Sequence, residues 1–270
     1  MVTAMQGDHA REALAESRFS DVRWVPETGS TNADLLALAA EGAPDGVVLV
    51  ADHQTAGRGR MGRTWEAPSG TSLLCSTLLR PELPLGLVHL VSLAAAVAAS
   101  DACEAVTGVR PTLKWPNDLM LLLPDGQERK VGGLLAESSI RGDEVAAVVV
   151  GMGINVNWPE DLPDELASIA TSLNHHCGGE IDREELLVAH LRGLEGILDG
   201  LASEEGREAL LLRYRHLSST LGRMVRAELG SGSLTGTAVD LTPEGHLLVE
   251  LGGEQIAISA GDVVHLRPAE

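Results

Sequence analysis

Gly57-Arg58-Gly59-Arg60-Met61-Gly62-Arg63-Thr64 satisfies two nucleotide-binding patterns at once. Gly57, Gly59 and Gly62 fit the dinucleotide fingerprint, while Gly57, Gly62, Arg63 and Thr64 fit a phosphate loop with Arg in place of Lys. Both patterns require the loop to open a helix, so that backbone N–H groups and the helix dipole face the phosphates. Here the chain continues into Trp65-Glu66-Ala67-Pro68-Ser69-Gly70, a poor helix start, which rejects both nucleotide-binding folds. What survives is chemical. Arg58, Arg60 and Arg63 concentrate charge in a chain with only 20 Lys and Arg in 270 residues, and the three Gly leave the backbone mobile. A mobile cationic loop suits a phosphate.

On either side of the loop the pattern is β-like. Val47 to Val50 leads into it through Ala51-Asp52-His53-Gln54, and Thr71 to Leu79 leaves it. Thr31-Asn32-Ala33-Asp34 has the form of a capping box and predicts a helix from the Ser30-Thr31 corner to Gly42. Leu85 to Val106, stopped by Gly108, reads as a central buried helix. Leu113 to Trp115, Leu119 to Leu123, Val131 to Ser138 and Val145 to Val150 read as strands, and Glu184 to Tyr214 as one helix weakened by four Gly. From about Leu221 the texture changes to five short β runs: Met224 to Leu229, Gly236 to Val239, His246 to Leu251, Gln255 to Ile258 and Val263 to Leu266. The expected architecture is α/β (α+β): a mixed sheet packed by helices over residues 1–220, then a small β-barrel over 221–270.

Composition narrows the function. The 44% hydrophobic and 22% charged content exclude a disordered or collagenous chain, and the net charge of −19 argues against sequence-independent nucleic-acid or anionic-membrane partners. The apolar run Leu85 to Ala99 is shorter than the ~20 residues that span a bilayer. With Asp8, Arg11, Glu12 and Glu16 near the start and no apolar signal region, a cytoplasmic location is expected. Cys75, Cys103 and Cys177 lie 28 and 74 residues apart and are read as buried thiols, and His175-His176-Cys177 lacks metal-ligand spacing.

Three further segments carry chemistry. Lys114-Trp115-Pro116-Asn117-Asp118 places a cation, an amide and a carboxylate within five residues; Lys can meet a phosphate and Asp can ligate Mg²⁺. Lys130 precedes Val131-Gly132-Gly133, where a ligand can approach the backbone closely. Gly151-Met152-Gly153-Ile154-Asn155 follows the most apolar strand and invites the same reading.

Taken in order, Gly29-Ser30-Thr31-Asn32, Gln54 to Arg63, Lys114 to Asp118, Lys130 to Glu137 and Gly151 to Asn155 resemble the motif series of biotin protein ligases, and the β-rich tail resembles that family's SH3-like C-terminal domain. The resemblance implies a catalytic biotin- and ATP-binding domain and a two-step reaction with ATP and Mg²⁺. Biotin's carboxylate attacks the α-phosphate to give biotinoyl-AMP and pyrophosphate. A lysine of the biotin carboxyl carrier domain of an acetyl-CoA or acyl-CoA carboxylase then attacks the anhydride.

By the same resemblance, Ser30, Thr31, Asn32, Gln54, Arg58, Gly59, Arg60, Lys130, Gly133 and Gly153 address biotin. Arg58, Arg60, Arg63, Trp65, Lys114, Asn117 and Asn155 address ATP, with Arg58, Lys114 and Lys130 as the catalytic cations and Asp118 in the Mg²⁺ region. Only 28 residues precede Gly29, so a winged-helix repressor domain is not expected and the chain reads as monofunctional, a monomer or weak homodimer. The competing expectations are a lipoate or octanoate ligase of related fold and a non-catalytic biotin-sensing module; two retained lysines argue against the latter.

Overall fold

The structure, a computed structural model, describes residues 6 to 265 apart from positions 143, 230, 231 and 260. Its larger sheet holds β1 (Val22–Thr28), β2 (Val48–Gln54), β3 (Ser72–Leu79), β4 (Thr112–Lys114), β5 (Asp118–Leu122), β6 (Glu128–Arg141) and β7 (Glu144–Asn155). Their spatial order is β1-β2-β3-β7-β6-β5-β4. The β1–β2 pair is parallel and the other pairs are antiparallel, which makes the sheet mixed, as expected. The helices are α1 (Asp8–Ala13), α2 (Thr31–Ala40), α3 (His89–Thr107), α4 (Asp164–Ala167), α5 (Asn174–Cys177), α6 (Arg183–Gly200) and α7 (Glu204–Leu217).

Side chains alternate across a strand, so each apolar strand feeds two cores. Val48 and Val50 with Val148, Val150, Met152 and Ile154 join the large core that also holds residues of α3, α6 and α7. Val47, Leu49, Ala147 and Val149 join a smaller core with Leu35 and Ala39 of α2. On this α2 face β7 continues from Val149 into Gly151 and Gly153, so the apolar cover stops and bare backbone begins. Register brings Glu137, Leu135 and Gly133 of β6 opposite Val149, Gly151 and Gly153. The candidate site is built on that exposed strip.

Helix α3 is the central buried helix that the sequence predicts, with a run of buried residues from Leu90 to Ser100. With its preceding turn, Leu85–Thr107 is long and apolar enough to cross a membrane by length and composition, longer than the Leu85 to Ala99 run suggested; 67% of the apolar window is buried inside the fold.

Several boundaries differ from expectation. The N-cap of α2 is Ser30, whose Oγ accepts from Ala33 N, while Asp34 takes the hydroxyl of Thr28 and closes no capping box. The single helix expected over Glu184 to Tyr214 is two, because Ser203 is extended and caps α7 through Gly206 N (3.0 Å). Cys75 and Cys103 are buried, whereas Cys177 is exposed at the end of the short α5. Helix α1 and strand β1 had no clear sequence signal. Carboxylate oxygens of Glu184 in α6 accept from Gly7 N and Ala10 N and so satisfy the free N–H groups of α1, a long-range cap invisible to local pattern.

The tail forms a five-stranded antiparallel sheet of SH3-like kind: β8 (Met224–Leu229), β9 (Gly232–Leu241), β10 (Leu247–Leu251), β11 (Glu254–Ile258) and β12 (Asp262–His265), in the order β11-β10-β9-β8-β12. Leu266, the expected end of the last strand, lies outside the described residues. This sheet is fastened to the larger unit through Trp115, which donates N–H to Thr220 Oγ1 (2.9 Å) and Nε1–H to Gly245 O (3.3 Å), and through the Arg223–Glu128 ion pair (2.7 Å).

Candidate functional site

A cleft opens on the α2 face of the sheet. Its floor is the N-terminus of α2, where Ser30, Thr31 and Asn32 are all at most 5% exposed. Gln54, the last residue of β2, accepts from Thr31 N at its Oε1 (2.8 Å). A helix N-terminus offers donors, so it fixes the amide with Oε1 toward α2 and turns Nε2 toward the loop. Gln54 thus offers a donor for a ligand acceptor such as a ureido oxygen.

The far wall rests on the register pair Gly133 and Gly153. A Cβ on Gly153 would stand 2.6 Å from Trp65 Cε2, and one on Gly133 would stand 3.0 Å from Lys130 Nζ. The two glycines therefore form a flat bed on which Trp65 lies and over which Lys130 reaches. Lys130 Nζ is 5.4 Å from the Trp65 ring centroid, within cation–π range, and 2.6 Å from Asp118 Oδ1.

The arginine loop is a tight hairpin. Arg58 bridges Thr64, Gly59 N donates to Arg63 O (2.7 Å), and Trp65 N donates to Gly57 O (3.0 Å). This geometry opens no α-helix, only a single 3₁₀ turn at Arg60–Gly62 broken by a left-handed Met61 (φ 57°), in agreement with the rejection of the phosphate-loop pattern. Each arginine reaches a different wall. Arg58 Nη1 is 3.6 Å from Glu137, Arg60 donates to Asn117 Oδ1 and Gly261 O (both 3.2 Å), and Arg63 pairs with Asp262. Burial lowers the Arg60 pKa from its ordinary value, with Asp262 and Asp118 opposing that shift. Among the residues lining the cleft, Arg58, Arg60, Arg63 and Lys130 face Asp118 and Asp262, an excess of cations in a chain of net charge −19.

Of the residues expected at the site, Ser30, Thr31, Asn32, Gln54, Arg58, Gly59, Arg60, Arg63, Trp65, Asn117, Asp118, Lys130, Gly133 and Gly153 line this cleft. Lys114 and Asn155 do not. Lys114 is paired in register with Asp118 at the sheet edge, and its charge acts on His265 of the small sheet; Asn155 is buried and donates to Thr171 O (2.9 Å). The sequence reading missed Gly151, Gly261 and Asp262, which also line the cleft, and Ser76 and Glu137 beneath and beside it. Gly151 opens the Gly151-to-Asn155 motif, whose pattern assigns it no particular task. Asp262 carries no local signal at all, being 199 residues from its partner Arg63.

The fit to Mg²⁺ can be judged from the donors present. Among the described residues no group of three or more His, Cys, Asp or Glu converges as a metal cage, and Asp118 is engaged by Lys130. That donor set suits a cation carried largely on nucleotide phosphates and water, with at most one protein carboxylate.

A polar helix-N-terminal floor, a glycine bed and a cationic hairpin on a mixed sheet define a ligase of the biotin and lipoate type. Residues 24–155 match the family described as "Biotin/lipoate A/B protein ligase family", and residues 220–266 match "Biotin protein ligase C terminal domain". The chain is 40% identical over 259 residues to a biotin--[acetyl-CoA-carboxylase] ligase of Mycobacterium tuberculosis, covering 94% of this chain and 92% of that protein. It is 29% identical to the bifunctional ligase/repressor BirA of Escherichia coli, over 97% of this chain and 79% of that one. In structure it resembles the biotin protein ligase from Aquifex aeolicus in complex with biotin and ATP, with a TM-score of 0.76 and 32% identity over 92% of this chain and 100% of that one. The chain belongs to the biotin protein ligase family.

Proposed function

We propose that this ATP-dependent biotin protein ligase forms biotinoyl-AMP in the α2-face cleft and passes the biotinoyl group to a lysine of a carboxylase carrier domain. The observation that carries the reading is the placement of Lys130 over the glycine bed, between the polar floor and the arginine hairpin. Ser30 and Gln54 are suited to hold the ureido end of biotin, with its carboxylate directed toward Lys130. Two anions must meet there, the biotin carboxylate and the α-phosphate, and their repulsion at ~4 Å is about 4 kcal/mol at an effective dielectric of 20. Lys130 offsets it from below and Arg58 and Arg60 from the hairpin. Trp65 and Asn117 flank the nucleotide side. Mg²⁺ would neutralise phosphate charge there, carried mainly by ATP, with Asp118 the protein carboxylate that would help hold it.

The hairpin covers the mixed anhydride and excludes water until an acceptor amine attacks its carbonyl, forming the amide bond and releasing AMP. The Mycobacterium tuberculosis relative, named as an acetyl-CoA-carboxylase ligase, supports a carboxylase carrier domain as acceptor. The net charge of −19 supports a partner other than nucleic acid or an anionic membrane. Purified carrier domain incubated with the protein, ATP, Mg²⁺ and biotin should gain the mass of one biotinoyl group, and no lipoyl mass when lipoate replaces biotin. An unchanged carrier with biotin, or equal labelling by lipoate, overturns the reading.

A further inference from the structure

Glu137 stands where the floor of the cleft meets the arginine hairpin. Its Oε2 accepts from Asn32 Nδ2 (2.8 Å), and its Oε1 lies 3.6 Å from Arg58 Nη1. The directions of the hydrogen bonds at Asn32 are forced. Leu135 O and the Glu137 carboxylate can only accept, so Asn32 turns Nδ2 to both and leaves Oδ1 for Ser76 Oγ (2.6 Å). That bond uses the one hydroxyl proton of Ser76. Ser76 Oγ also lies 2.7 Å from Thr31 Oγ1, and the Thr31 hydroxyl in turn reaches Gln54 Oε1 (3.1 Å). Gln54 Oε1 is held by Thr31 N (2.8 Å). One continuous polar relay thus runs from Gln54 through Thr31, Ser76, Asn32 and Glu137 to Arg58.

Asn32, expected to touch biotin, spends its amide entirely inside this relay. There is room for it because residue 151 is glycine: a Cβ there would stand 2.1 Å from Asn32 Oδ1. The Arg58–Glu137 pair is itself 47% and 29% exposed, and a pair so exposed adds little to stability. Its consequence is geometric. It ties the hairpin to a floor whose orientation is set by the residues around the ureido end of biotin.

We propose that Glu137 is a positioning residue of the ligase reaction, holding Arg58 over the acyl phosphate and registering the hairpin against the biotin floor. The proposal rests on the reading of Arg58 as part of the cover over the adenylate. Glu137→Gln keeps an oxygen for Asn32 and removes the charge that faces Arg58. Two quantities on the full chain report the result: release of biotinoyl-AMP in the absence of carrier, and biotin Kd by calorimetry. Release should rise about three- to fivefold, the loss appropriate to a partly exposed ion pair, while biotin Kd moves less than about twofold. Glu137→Asp, which keeps the charge on a shorter stem, should recover part of the retention.

The double variant Arg58→Ala/Glu137→Gln should leak no faster than Arg58→Ala alone, because the carboxylate acts through Arg58. If Arg58→Ala leaks and Glu137→Gln retains its adenylate like wild type, the Glu137 proposal fails and the cover reading stands. If Arg58→Ala itself retains the adenylate, the cover reading fails and the Glu137 proposal falls with it. A loss of biotin affinity in Glu137→Gln as large as its leak would mark a structural role and overturn the positioning role.

Discussion

Two lysines occupy the regions that the family motifs mark, and the structure treats them unequally. Lys130 lies over Gly133, within 2.6 Å of Asp118 and in the cleft, whereas Lys114 stands at the sheet edge outside it. Lys130→Ala should therefore weaken biotin binding and slow single-turnover adenylation, by about 2.7–4 kcal/mol in the transition state if Lys130 is a preorganised electrostatic partner. Lys114→Ala should change either quantity by less than about 1 kcal/mol, as expected of a charge outside the reacting centre. Lys130→Gln controls for lost stem packing, because lysine also contributes apolar length. Biotin titrations and adenylation rates on all three variants decide the point, and a larger adenylation defect in Lys114→Ala would reverse the assignment. The sequence could name both lysines but could not rank them, because spacing along a chain does not say which strand edge faces a cleft. Glu137 was equally unreadable: its task exists only once β6, α2 and the hairpin share one corner.

Elements were more legible than their ends and their seams. The β2, β3 and β7 runs, the long α3 and the β-rich tail all follow from apolar period and Gly punctuation. The break between α6 and α7 does not, since four Gly weaken the whole stretch equally and the stop is set by a serine cap. The α3–α6 seam holds a feature that pattern cannot show. His190 of α6 is fully buried there, and burial pushes its pKa from 6.5 down to about 4, against a hydrogen bond to the Ala98 backbone that raises it. Between pH 6.5 and 4 the unfolded chain binds the proton that the folded one refuses, so stability is full above pH 6.5 and is lost as pH falls toward 4. His190 alone accounts for about 3 kcal/mol across that window, and His89, pushed to about 4 by burial and by His246 and Arg60, acts in the same direction. Denaturant unfolding at pH 7 and pH 5 should show the fall, and His190→Gln should flatten it. An equal slope in the variant would remove His190 as the cause.

At the scale of the whole molecule, the change of texture near Leu221 suggests a tail apart from the biotin pocket, yet Gly261 and Asp262 of the small sheet line the cleft and hold Arg60 and Arg63. The two units also share a buried seam. Gly245, at φ 84°, takes the Trp115 indole N–H, and a Cβ there would stand 2.6 Å from Leu93 Cδ1 of α3. Removing the tail would take away the acceptor of the Trp115 indole N–H, on a ring now 1% exposed, and an unmet buried donor costs about 1–3 kcal/mol. A truncated chain therefore mixes lost folding with lost function, and two point variants separate them. Asp262→Ala frees Arg63 at an exposed pair, so its unfolding free energy should stay within about 1 kcal/mol of wild type while biotinoyl-AMP release without carrier rises. Gly245→Ala forces a side chain into a left-handed conformation against Leu93 and should lower unfolding free energy by about 1–3 kcal/mol with the hairpin contacts intact. Denaturant melts paired with adenylate-release assays distinguish the two. An Asp262→Ala enzyme that retains its adenylate would show that the small sheet braces the fold through Trp115 and takes no part in closing the cleft.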